Sequence, residues 1–250
     1  MFQSQLNRPA AAGAPESGNQ AGRAFREVRS CHWPLPETFE WKGRWIRNWF
    51  SNFEWHSRPI RLPYAEDIPI LNVEAGFQGV KASDIAERRR IFRMEPAAAK
   101  TYGRHGIQSF REDWDYVSIA AMDMFCREKW QPGTPEAERL LKTPSPIIEF
   151  NNWGDTRWGA CHRTGRGQNV VGLLITSYKV EIKKTGRLAP GAPEAHWRER
   201  QAVLVERLNR ISLLLVPDGS SRPAARKQEP AAPRQASFFF QTDQDEGPAP

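Results

Sequence analysis

Apolar residues recur through the middle of the chain at the spacing of buried helix faces. Val73, Phe77 and Val80 stand at i, i+4 and i+7 and predict a helix from Val73 onward. A second helix is predicted over 84–93 and a short one over 96–103, where Pro96 suits a first turn and Gly103 an end. The longest of the middle covers 113–130: Trp114, Val117, Ala121 and Met124 form one stripe, with Ile119, Met122 and Phe125 beside it. Residues 131–143 read as a turn and a brief helix, 147–150 as a short buried strand, 151–169 as a Gly-rich loop, and 170–178 as a buried helix. Before these, aromatics, prolines and short alternating runs predict loops with one or two short strands, one around 59–62.

The last periodic element, 194–216, places Trp197, Leu204, Leu208, Ile211 and Leu215 at a heptad-like spacing that Gln201 interrupts. It either docks on the domain or pairs with a second copy, and docking is the simpler expectation. Two prolines and two glycines in 183–193 read as a linker that makes it an appendage. The fold class is therefore mainly α with a few short strands: one compact helical domain over 31–182, the linker, and the amphipathic helix 194–216. Tails 1–30 and 217–250 are rich in Ala, Gly, Pro and polar residues. They bury too little apolar area to offset the entropy of ordering and are expected to be disordered. The Phe238-Phe239-Phe240 run is the exception, a docking peptide or, preferably, a remnant.

Composition narrows this picture. Ten Trp and thirteen Phe, with almost every Trp between 33 and 158, supply a core for the middle segment. The formal charge of +7 points only weakly to an anionic partner. Its excess is spread over tails and helix faces, as in Arg88-Arg89-Arg90, Lys183-Lys184 and the run from Arg222 to Arg234, and reads as solvated surface. Cys31, Cys126 and Cys161 are too scattered for a disulfide framework or a CxxC site, which points to a reducing compartment. The five histidines lack metal-ligand spacing, so no metal and no cofactor is expected. The first residues lack an apolar signal region, and no apolar run nears the roughly 20 residues that span a bilayer. The expectation is a cytoplasmic protein without a membrane partner.

Three places carry candidate chemistry. Glu74, Gln78 and Lys81 fall at i, i+4 and i+7 and line one helix face beside the Val73 stripe, at the edge of the core. By spacing alone such a row is an ordinary polar face. The 149–169 loop sets Glu149 and Asp155 around Trp153, then Trp158, Gly159, Arg163, Arg166, Gly167 and Asn169, and leads straight into an apolar helix. A helix start with nearby glycines and arginines suits a phosphate. In Phe50-Ser51-Asn52-Phe53, an Asn between aromatics fixes a turn or hydrogen-bonds a sugar hydroxyl, and the turn is the simpler role.

Six segments in order then bear a resemblance. They are FSNF at 50–53, VEAGFQGVKA at 73–82, AAAKTYGR at 97–104, REDWDYVSIAAMDMFCREKW at 111–130, IIEFNNWGDTRWG at 147–159 and GRGQNVVGLLI at 165–175. Together they resemble the NADAR (YbiA-like) superfamily over about residues 49–179. The resemblance implies a mainly helical fold and cleavage of N-glycosidic bonds. Two substrate types are attributed to the family: phosphorylated ribosylamino-pyrimidines, and ADP-ribose attached to guanine bases. Glu74, Gln78, Lys81, Trp114, Glu149, Asp155, Trp158, Gly159 and Asn169 fall on its recurring positions. Ala75 follows Glu74 where the family commonly has His, the Glu149 to Asp155 spacing is one residue longer, and the helix ends Ser177-Tyr178-Lys179 where an Arg is common. These departures bear on the substrate rather than on the fold.

Under that resemblance Glu74 is the carboxylate beside the ribose, facing an oxocarbenium-like cation, and Asp155 is the second acid. Lys81 either grips phosphate as a cation or, neutral, attacks the opened ribose as an amine. Trp114 and Trp158 stack the base, Asn52, Phe53, Gln78, Glu149, Gly159 and Asn169 line the pocket, and Arg163, Arg166 and the helix start at Gly167 hold phosphate. The partner implied is a nucleotide-like or ADP-ribosyl substrate, free or carried on nucleic acid. The alternatives are a catalytically inactive ADP-ribose or nucleotide-binding module, and an interaction protein that works through 194–216 and the tails.

Overall fold

The computed structural model describes residues 27–35, 50–151 and 154–216. The predicted tails beyond this range, the Phe238-Phe240 run and Trp153 lie outside the described residues.

Among the described residues seven α-helices carry the fold. Asn72 opens α1 (Val73–Gly79): its side chain accepts from the Ala75 N–H at 2.7 Å, capping a donor the helix itself cannot satisfy. Asp84 does the same for α2 (Ile85–Phe92), accepting from the Glu87 N–H at 2.7 Å. Helix α3 (Pro96–His105) starts on its proline and runs two residues past the predicted end. The longest central helix, α4 (Trp114–Lys129), is followed by α5 (Pro135–Lys142), which Thr134 caps. Helix α6 spans Val170–Thr185, seven residues beyond its apolar run and into the predicted linker. A short 3₁₀ turn at Glu194–His196 then leads into α7 (Trp197–Leu215).

A small sheet closes one side in the order β1–β4–β3–β2. Strand β1 (Cys31–His32) pairs antiparallel with β4 (Arg166–Gly167), which pairs antiparallel with β3 (Ala160–Cys161); β3 runs parallel to β2 (Phe150–Asn151). Two of these strands lie in the segment predicted as a Gly-rich loop. The predicted strand at 147–150 reaches the ladder only through Phe150, and 59–62 contributes a single bridge, Ile60 opposite Ile70.

One apolar cluster runs from Val28 to Val216, so the chain is one compact, mainly helical body. Helix α7 packs on α4 and α6 and buries Trp197, Leu204, Val205 and Leu208. Gln201, which interrupts the apolar spacing, is buried there. Its amide accepts from the Ile119 N–H at 2.9 Å and donates to the Asp115 carbonyl at 2.7 Å, satisfying polar backbone inside the contact. Among the described residues no helix is long and apolar enough to cross a membrane.

Candidate active site

Helix α1 is buried along its whole length because α2, α3 and α4 all pack on it. The polar row therefore sits inside the body rather than at the edge of the core. Glu74 is 6% exposed and Gln78 5%. The Gln78 amide donates to the Glu74 carboxylate at 2.8 Å, while its own oxygen is buried and accepts no hydrogen bond among the described residues. Burial raises the Glu74 carboxyl above its ordinary value; the Gln78 bond and the charges of Lys100, Lys81 and Arg104 pull the other way.

Lys81 stands just past the end of α1, and its ammonium turns back over the aromatic wall. It lies 5.5 Å from the Phe77 ring centre and 5.7 Å from that of Trp114, and it donates to the Gly103 carbonyl at 3.3 Å. Desolvation lowers its pKa to about 8; Glu74 opposes this, and Arg104, Arg157 and Lys100 add to it.

Phe77 centres the wall: its ring is 5.1 Å from that of Trp114 and 5.1 Å, edge-on, from that of Trp158. The Arg157 guanidinium lies 5.2 Å from the Trp158 ring and donates to the Ser118 hydroxyl at 2.8 Å. On the other side the 51–53 loop is clamped to the body. Lys129 donates to the Ser51 carbonyl at 2.7 Å, and the Glu74 N–H donates to the Asn52 carbonyl at 3.0 Å. The Asn52 side chain turns to the Met122 sulfur, 3.7 Å away, and the Phe53 ring carries the Lys100 ammonium at 5.0 Å.

The two acids of the 149–155 segment have different surroundings. Asp155 accepts from the Arg157 N–H at 3.0 Å and the Trp158 N–H at 2.9 Å through one oxygen, so it shapes the turn that presents those two side chains. Glu149 is pushed up to about 8, first by desolvation and then by the negative charges of Asp155 and Glu74. Its backbone N–H donates to the Asn169 side chain at 2.9 Å, and Asn169 donates in turn to the Ile147 carbonyl at 3.0 Å. Asn169 is thus a buried clasp.

The phosphate clasp expected at the start of α6 meets a different arrangement. The N–H groups of Gln168, Asn169, Val170 and Val171 donate to the carbonyls of Thr156, Gly159, Arg157 and Trp158, at 2.7–3.2 Å. These donors are spent on folding the loop. Arg163 and Arg166 are exposed on the β3–β4 hairpin, with Arg166 opposite His32. Gly159 and Gly167 serve close backbone packing: a Cβ at Gly159 would come within 2.3 Å of the Glu149 carbonyl oxygen, and one at Gly167 within 2.3 Å of the Gly159 oxygen.

Glu74, Gln78, Lys81, Trp114, Trp158, Glu149 and Asp155 therefore share one group of interacting side chains. Lys100, Arg104, Arg157 and Phe77 join it without having been named as site residues from the sequence. Lys100 and Arg104 stand at i and i+4 on α3, the one spacing signal that could have found that pair. Compared with family models, curated proteins and solved structures, the chain matches none of them.

Proposed function

We propose that this chain is an N-glycosidase acting on a phosphorylated riboside, such as ADP-ribose attached to a guanine base or a ribosylamino-pyrimidine phosphate. The observation that carries the reading is the meeting of Glu74, Lys81 and Glu149, three groups with disfavoured charged forms, beside the Phe77, Trp114 and Trp158 rings. Pairs of titratable groups set apart by their surroundings are what proton transfer at neutral pH needs.

In this reading the base stacks at Trp114 and Trp158, and the Glu74 carboxylate faces the sugar carbon as positive charge develops on it. Glu149, held protonated through neutral pH, gives its proton to the departing base nitrogen. Water adds to the sugar carbon and loses a proton, completing the hydrolysis. Lys81, with a neutral fraction near pH 7, has a second route open to it. Its amine adds to the sugar carbon as the base leaves; the ring C–O bond then opens, its oxygen taking up the proton that the nitrogen gives up, and the resulting imine is hydrolysed by water. Lys100, Arg104 and Arg157, whose charges act on Glu74 or Lys81, replace the start of α6 as the proposed phosphate contacts.

The test is to incubate the protein with ADP-ribosylated guanine nucleic acid and, separately, with a ribosylamino-pyrimidine phosphate, and to follow released base by mass spectrometry. Turnover is expected with one of them, and Glu74→Ala and Lys81→Ala are expected to abolish it. Turnover that survives both substitutions sinks the site. Tight ADP-ribose binding without release of base assigns the pocket to a reader. Borohydride trapping of a Lys81 adduct separates the amine route from a purely cationic role.

A further inference from the structure

Three consecutive carbonyls at the exit of α1 are gripped by two arginines. The Val80 carbonyl accepts from the Arg111 guanidinium at 3.4 Å and the Lys81 carbonyl from the Arg111 N–H at 2.8 Å, while the Ala82 carbonyl accepts from Arg88 Nε at 2.6 Å. Both guanidinium groups end on one carboxylate. Arg88 binds Glu194 through two bonds, of 2.7 and 2.9 Å, and Arg111 binds it at 2.8 Å. Tyr64 donates to the same carboxylate at 3.3 Å, and Asp113 takes the remaining face of Arg111. Arg88 and Arg111 are nearly covered, with side chains 8% and 12% exposed, so the geometry of Arg88 depends on Glu194 and that of Arg111 on Glu194 together with Asp113. Glu194 stands in the 3₁₀ turn before α7, beyond the 49–179 span of the resemblance.

We infer that Glu194 is a positioning residue: through Arg88 and Arg111 it fixes residues 80–82 and so holds the Lys81 amine against the Phe77 and Trp114 rings. The consequence for turnover rests on the N-glycosidase reading; the geometric role does not. The groups facing Lys81 are Glu74 on α1, Lys100 and Arg104 on α3, and Arg157 on the β2–β3 connection. Without the tether the 80–82 segment loosens, the ammonium reaches water, and the amine is protonated to higher pH.

The experiment follows labelling of Lys81 by an amine-reactive acetylating reagent against pH, read by peptide mass spectrometry, in the full chain and without substrate. In Glu194→Gln the labelling midpoint is expected to move up by about one pH unit. Glu194→Asp, which keeps the charge with a shorter reach, is expected to move it less and serves if Glu194→Gln does not fold. Glu181→Gln, which weakens the ion pair with Arg127, neither residue being among the groups that act on Lys81, is the stability control and is expected to leave the midpoint in place. An unmoved midpoint in both Glu194 variants, or an equal shift in Glu181→Gln, overturns the inference. If the wild type turns over substrate, Glu194→Gln is expected to lower kcat about tenfold with KM little changed. Because the label reads Lys81 without substrate, failure of the glycosidase reading and failure of the tether are separate results.

Discussion

Lys81 shows what the site costs the fold. Its amine has a folded pKa of about 8 against an ordinary 10.5, so the folded state disfavours the ammonium. That cost is fully present below about pH 8 and vanishes above 10.5. Lys81→Met is therefore expected to stabilise the protein at pH 6 by on the order of 1–2 kcal/mol while removing turnover, and the gain is expected to fade by pH 10.5. Urea unfolding at the two pH values checks it; a gain independent of pH would mean the methionine acts by packing alone. Glu149 carries the complementary signature. Its carboxyl also titrates at about 8, so turnover that needs its proton falls as pH rises through that value. If Lys81 acts as a neutral amine, a rising limb is added near 8 and the pH–rate profile becomes a narrow bell there; if it acts as a cation, the only rise is the ionisation of Glu74 at lower pH.

At the scale of elements, the clasp made by Asn169 decides how Glu149 is presented. Its side chain serves the Glu149 N–H and the Ile147 carbonyl, and its own backbone is left-handed at φ 51°. Asn169→Ala leaves both partners unpaired and puts an alanine in a conformation it disfavours. A loss of about 3 kcal/mol is expected by urea unfolding, and a loss under about 1 kcal/mol would mean that water replaces the clasp. The same bonds explain why the strand expected at 147–150 forms only at its end. The Ile147 N–H donates to Thr176, and its carbonyl and the Glu149 N–H are taken by Asn169, so side chains occupy the backbone where a neighbouring strand would pair. The helices were legible because apolar stripes, and punctuation such as Pro96, are local signals; the caps Asn72, Asp84 and Thr134 were seen only in the structure. The two-residue strands were not, since no period can be read from two positions. In the site, the Glu74–Gln78–Lys81 row was legible as a row. Its burial was not, because that depends on α2, α3 and α4 closing around α1, and the same closure brings in Lys100 and Arg104.

For the molecule as a whole, the question is whether the body stands without its last helix, which the linker composition set apart. Asp123, fully buried on α4, accepts from Arg127 at 2.9 Å, from Arg200 on α7 at 3.0 and 3.1 Å, and from Tyr178 on α6 at 2.8 Å. Removing α7 takes away one of those cations and uncovers the faces of α4 and α6 that it covers, along with the burial of Trp197, Leu204, Val205 and Leu208, each at most 1% exposed. Burial of four such side chains contributes roughly 6–12 kcal/mol, comparable to the 5–15 kcal/mol that holds an entire domain folded. A chain ending at Thr185 also lacks Glu194, so Arg88 and Arg111 lose their common anchor beside the candidate site. Truncation after Thr185 is accordingly expected to abolish the cooperative thermal transition, read by circular dichroism, and to give aggregated material on size exclusion. A truncated chain that still unfolds cooperatively would identify α7 as a removable addition. Lys81 labelling in that chain would then read the loss of Glu194 in a body that folds without it.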